Sequence, residues 1–148
     1  MTITVSPGVS GQYPVITLSV PSIVGDLVVP SLQDVTINNA NDIFTYTQLN
    51  KTGKLSIATT STNSISTNLV VEDLTFFGNA SATTGSAAKL GVQGLSTNKT
   101  LSNVSITMGT KTISGQGYVT GLAPTVSADS PVWVTPVTIT ITGDFTVA

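Results

Sequence analysis

The stretch Thr135–Ala148, TPVTITITGDFTVA, decides the fold. Val137, Ile139, Ile141, Phe145 and Val147 occupy alternate positions, with Gly143 filling the gap in the series. Between them stand Thr138, Thr140, Thr142, Asp144 and Thr146. Period two over so long a run is the mark of a β-strand with one apolar and one polar face. Such a strand needs a partner along each edge, and its threonine face needs a surrounding.

The same alternation recurs outward from this segment. Ile16, Leu18 and Val20 share one face of 15–20, as do Val35 and Ile37 in 33–38. Residues 43–49 (Phe44 and Tyr46 against Thr45 and Thr47) and 54–60 (Leu55 and Ile57) read as two more strands. Val104, Ile106 and Met108 alternate in 102–108, a short GTK turn follows, and 112–119 returns as the second strand of a hairpin. Pro7-Gly8, Pro21, Gly25-Asp26, Pro30 and Gly53 punctuate the early strands, and residues 121–131 read as a loop. Gly115 and Gly117, inside a strand pattern, predict a bulge or a close backbone approach. Only 83–95 breaks the pattern. Ser86 is placed to cap a short helix with Leu90 turned inward, weakened by Gly91 and Gly94. The polar run 59–68, TTSTNSISTN, reads as a loop or hairpin tip. These elements predict one all-β domain over 1–148, an antiparallel sandwich or barrel with one short helix.

Composition narrows the function. The 148 residues are 8% charged, against about 25% in ordinary domains. Hydroxyls replace the charge, with 26 Thr and 17 Ser. Such a surface is poorly guarded against self-association, which makes it a candidate interface. Histidine, cysteine and arginine are absent. The commonest general base, the commonest metal ligand and all thiol chemistry are therefore missing, and no cofactor or metal is expected. Five scattered lysines form no basic patch for gripping phosphates. The adjacent Glu72 and Asp73 point to opposite sides if the strand before them continues, so they do not make an acid–base pair. The segments 85–91 and 115–117 lack the remainder of a phosphate loop or dinucleotide fingerprint. No Gly-x-Ser-x-Gly elbow occurs. An enzyme is not expected, although Ser–Lys and carboxylate chemistries stay available in principle. The opening MTITVSPGVSG has neither the basic nor the apolar region of a signal peptide, and no apolar run reaches the ~18 residues of a membrane span. Most aromatics sit in strand patterns and are expected in the core; Trp133, between two prolines, is equally suited to anchoring a contact.

Three segments, FTYTQLNKTGKLSIATTSTNSISTNLVVEDLTFFG (44–78), SAAKLGVQGLSTNKT (86–100) and SGQGYVTGLAPTVSADSPVWVTPVTITITGDFTV (114–147), resemble tail tube proteins of long-tailed bacteriophages in size, element order and wording. The resemblance implies a β protomer with a flanking helix, six to a ring, and rings stacked into a hollow tube for DNA. It implies that other copies of the chain, tail sheath, baseplate and tail terminator proteins are partners. DNA would pass without specific binding and no membrane would be involved. It places the protein in the virion tail, assembled in the host cytoplasm. Residues 39–68 are then expected to contain a projecting loop between rings. The polar faces of two strands, Asp34, Thr36 and Asn38 with Asn103, Ser105 and Thr107, are the candidate lumen wall. Thr59, Thr60, Ser61, Thr62, Asn63 and Ser64, Trp133, and Thr138, Thr140 and Thr142 are the candidate contacts between subunits. The strand at 137–147 is one candidate for an edge completed by another copy. A capsid decoration or tail-tip protein, or a glycan-binding β module, are the competing readings.

Overall fold

The computed structural model describes residues 15–30 and 32–148. The expected turn at Pro7-Gly8 and the aromatic Tyr13 lie outside the described residues. Among these residues seven strands form one antiparallel sheet: β1 (Ile16–Ser19), β2 (Leu27–Val29), β3 (Leu32–Tyr46), β4 (Leu55–Val70), β5 (Ser102–Met108), β6 (Lys111–Leu122) and β7 (Val134–Val147). Their order across the sheet is β2-β1-β5-β6-β7-β4-β3. A π-helical turn, Asp73–Phe77, and helix α1, Ala87–Thr97, complete the described elements.

Cross-strand register turns the period-two pattern into two surfaces. Ile37 pairs with Ile65, Ile65 with Ile139, and Ile139 with Val119, so one apolar row crosses four strands. Ile16–Ile106 and Leu18–Val104 extend the apolar side toward β1. The π turn and α1 cover this side, delivering Phe76, Ala87, Val92 and Leu95 to the same cluster. Ser86 caps α1 as expected, its Oγ accepting from the Lys89 amide at 3.3 Å. The helix starts at Ala87, directly after that cap, and runs two residues past the expected segment to Thr97. Leu90 packs against the core only partly buried. Gly91, at φ +67°, breaks α1 into two short pieces. A Cβ there would stand 2.5 Å from the Gly78 amide nitrogen, so glycine lets the helix press directly on the backbone leaving the π turn.

Four expectations are corrected. The strand at 137–147 is interior, flanked by β6 on one side and β4 on the other, so its Val137–Ile141 edges are already satisfied within the chain. The run 59–68 is not a loop but the middle of β4. Its polar residues mask a strand because two core-side positions hold Asn63 and Thr67, both buried. Asn63 takes a hydrogen bond from Asn39 and donates to the Gly143 carbonyl at 2.7 Å; Thr67 donates to the Asp34 carbonyl. Residues 33–38 and 43–46 are one strand, β3, interrupted by a register shift between Asn41 and Ile43, and 47–49 fall in the turn that follows. Half of the described aromatics expected in the core lie outside it: Phe44, Phe77 and Tyr118 are exposed, whereas Phe76 is buried and Phe145 packs against the core partly buried.

The glycine expectation holds. Ladder irregularities fall between Ser114 and Gln116 and between Val119 and Gly121. A Cβ on Gly117 would lie 2.3 Å from the Thr140 carbonyl oxygen. β6 therefore approaches β7 more closely than any side-chain-bearing residue permits.

Candidate functional site

The sheet side opposite α1 carries the polar half of every strand but β2, whose Val28 lies beside Thr17. Thr36 pairs with Ser66 and Ser66 with Thr138. Asn38 leads through Ser64 and Thr140 to Tyr118. Ser19 leads through Asn103 and Gln116 to Thr142, and Thr17 through Ser105 and Ser114 to Thr146. Thr107 faces Thr112. All six candidate lumen residues thus fall on one continuous surface. Thr138, Thr140 and Thr142 fall on it too, although the sequence suggested a separate role for them. Ser64 also belongs to this face, while Asn63 points the other way into the core.

Side chains on this face bond to one another across the strands. Gln116 Nε2 donates to Asn103 Oδ1 at 2.9 Å, and the hydroxyls of Thr120 and Thr140 meet at 3.0 Å. Asp34 accepts from the Asn68 amide nitrogen at 3.0 Å and from its side-chain nitrogen at 2.9 Å. Such pairs hold each strand's register and fix the polar groups in a lattice. A hollow of about 510 Å³ opens between Thr17, Ser19, Asn103, Ser105, Gln116, Thr142 and Asp144.

A single lysine, Lys99, borders this surface, beside Tyr118, Thr120 and Thr140. Lys51 and Lys54 lie at the β3–β4 turn, Lys89 on α1 and Lys99 just beyond it. Lys111 pairs with Met108, on the opposite side from the Thr107–Thr112 pair. The carboxylates that face it are Asp34 and, around the hollow, Asp26 and Asp144. A wall of hydroxyls and amides with a few carboxylates holds water and offers little positive charge to neutralise phosphate.

The second feature is an arm. β4 pairs with β7 only from Asn63 to Val70, whereas its pairing with β3 continues out to Tyr46↔Leu55. Residues 40–62 therefore leave the sheet as a two-stranded hairpin whose turn spans 47–54. Thr59 and Thr60 fasten its root by bonds to the Asp42 carbonyl (3.1 Å) and carboxylate (2.9 Å), and Ser61 bonds Asp144 at 2.9 Å. Thr62 pairs with Ala40. Beyond the register shift Phe44 faces Ile57 and Tyr46 faces Leu55, with the Phe44 and Tyr46 rings stacked at 6.1 Å. Phe44 is 59% exposed and Ile57 52%. An apolar ribbon of two strands is marginal in water by itself. The sequence marked this region as projecting but not its apolar face, which the alternation at Phe44, Tyr46, Leu55 and Ile57 already displays.

The third feature is the surroundings of Trp133. Its ring, 52% exposed, borders a cleft of about 870 Å³ with Val71, Phe76, Phe77, Leu122 and Pro124. The Val71 amide donates to the Trp133 carbonyl at 3.0 Å, which ties the cleft to the end of β4. Glu72 and Asp73 stand where the chain turns from β4 into the π turn, with Asp73 on the cleft wall. Among the described residues no group of acidic side chains is arranged to hold a metal ion.

No family model matches the chain, and no curated protein matches it significantly. Solved structures do. The tail of an empty gene transfer agent particle, refined helically with C6 symmetry, superposes with a TM-score of 0.71 at 12% identity, covering 94% of this chain and 98% of the other. A chain of the SPP1 tail tube superposes with a TM-score of 0.67 at 9% identity, covering 94% and 78%. A chain of the extracellular contractile injection system PVC sheath-tube complex gives 0.62 at 14% identity, covering 95% and 90%. At these identities the shared property is the fold: this chain folds as the proteins of phage-type tails and tubes do.

Proposed function

We propose that copies of this chain close into rings of six and that the rings stack into the hollow tube of a phage-type tail, with the polar sheet face lining the bore. The observation that carries this reading is that face: six strands wide, built mainly of hydroxyls and amides, with a single lysine, Lys99, at its border. In a monomer so uncharged a surface risks indiscriminate association. Around a bore it becomes a water-holding wall along which a polyanion slides without being held. The fold shared with tail and tube proteins supports the same role, and the sixfold symmetry of the gene transfer agent tail supports the ring number.

Two sheet edges suit ring closure. Among the described residues β2 and the outer side of β3 each have a single neighbour in the sheet. An unpaired edge is an aggregation hazard in a monomer and becomes an internal ladder when a neighbour completes it. Sheath, baseplate and terminator proteins are the further partners, approaching the helix-bearing outside and the tube ends. The role is structural, in the virion tail, with assembly in the host cytoplasm before incorporation. Negative-stain microscopy of the purified protein tests the reading. Rings or tubes with a stain-filled centre are expected; a strictly monomeric species at high concentration refutes it.

A further inference from the structure

Leu49, at the tip of the hairpin arm, has its side chain wholly exposed. Lys51 and Lys54 follow it in the same turn, and no carboxylate occurs between Ile43 and Val71. The tip is thus an apolar knob with a positive collar. The Trp133 cleft is its converse: an apolar hollow whose one charged lining residue is Asp73. Knob and cleft stand at opposite ends of the same strand. β4 has 16 residues, so it holds them about 50 Å apart at ~3.3 Å per residue. A chain cannot fold its own tip into its own cleft across that spacer. The match is met only between copies, and a contact joining one end of a protomer to the other end of the next repeats along the direction of β4.

We propose that the Trp133 cleft is the receptor for the arm of a second copy: Leu49 enters between Trp133 and Phe77, and Lys51 and Lys54 approach Asp73. This rests on the tube reading and assigns the contact that joins one ring to the next. An exposed Trp beside Phe rings is the kind of anchor that concentrates binding energy, and the opposite charges fix orientation. Docking also gives the apolar face of the ribbon, Phe44 and Ile57, a surface to cover it.

The chain has no cysteine, so introduced thiols report this contact alone. Tubes formed by the Leu49→Cys/Ser96→Cys double variant are oxidised and run on a denaturing, non-reducing gel. A ladder of multimers is expected, with neither single variant producing one. Tubes that assemble but remain monomeric on the gel overturn the inference while leaving the tube reading intact; absence of tubes from the unmodified protein overturns the tube reading itself. A second variant covers the case in which the double variant does not assemble. Leu49→Asp leaves the folded protomer unchanged and raises the concentration needed for tube growth by about tenfold or more. Unaltered growth by that variant overturns the assignment.

Discussion

Ile139→Ala and Thr140→Ala alter adjacent residues of one strand, and the structure gives them opposite fates. Ile139 is 2% exposed and stands between Ile65 and Val119 in the apolar row. Truncation removes three carbons, which forfeits about 2.4 kcal/mol of transfer free energy at ~0.8 per carbon. The cavity left in an interior strand adds to this, because β4 and β6 are held by their own ladders and cannot close on it. The total is about 3–4 kcal/mol. For a chain of this size that lowers Tm by roughly 6–16 °C. Thr140 stands on the polar face, exposed, and its hydroxyl meets only that of Thr120. Its removal costs no more than about 0.5 kcal/mol. The assay is thermal unfolding by circular dichroism on dilute protein, below the concentration at which it assembles. If the two variants melt together, or if Thr140→Ala is the more damaging, the assignment of faces is wrong and the argument for a polar wall falls with it.

Three further perturbations test other parts of the structure. Gly117→Ala drives a methyl group into the Thr140 carbonyl of the neighbouring strand; a loss of about 2–3 kcal/mol is expected in urea unfolding, and an unchanged midpoint would show that β6 and β7 are not so closely set. Ser86→Ala removes both the cap on the Lys89 amide and a 2.6 Å bond to the Thr83 carbonyl; it should cost about 1 kcal/mol in thermal melts, and no loss would mean the helix start is held by other contacts. Thr138→Lys places a cation in the middle of the polar face; tubes of this variant should retain short DNA in pelleting assays with an affinity that falls steeply with salt, where the parent retains none. Equal retention by both would remove the polar face from the bore.

The segments read correctly in sequence are those whose alternation is uninterrupted. β5 matches its expected span, and β7 differs only by three residues at its start, where Thr135 is a buried hydroxyl bonded to the Ala123 amide. The helix was legible through its serine cap. What alternation could not show is where an apolar period stops meaning burial. On the arm Phe44 and Ile57 alternate as core residues do, yet no layer covers them. In β4 the reverse holds: Asn63 and Thr67 are buried because specific bonds to Asn39, Gly143 and Asp34 satisfy them, and a hydropathy pattern records only their polarity. Nor does a strand's own sequence tell which strands flank it. β7 lies between β6 and β4 because β3 and β4 form a hairpin that adds at its far side. The polar residues of the candidate wall were individually legible; that they form one surface with Thr138, Thr140 and Thr142 follows from register alone.

The central claim concerns which side of the sheet faces the axis. A helical cryo-electron reconstruction of assembled protein tests it most directly. The account predicts a hollow tube whose inner wall carries Thr36, Ser66, Thr138 and Ser105, with α1 on the outside. A tube with α1 turned toward the axis, or a filament without a bore, would contradict it.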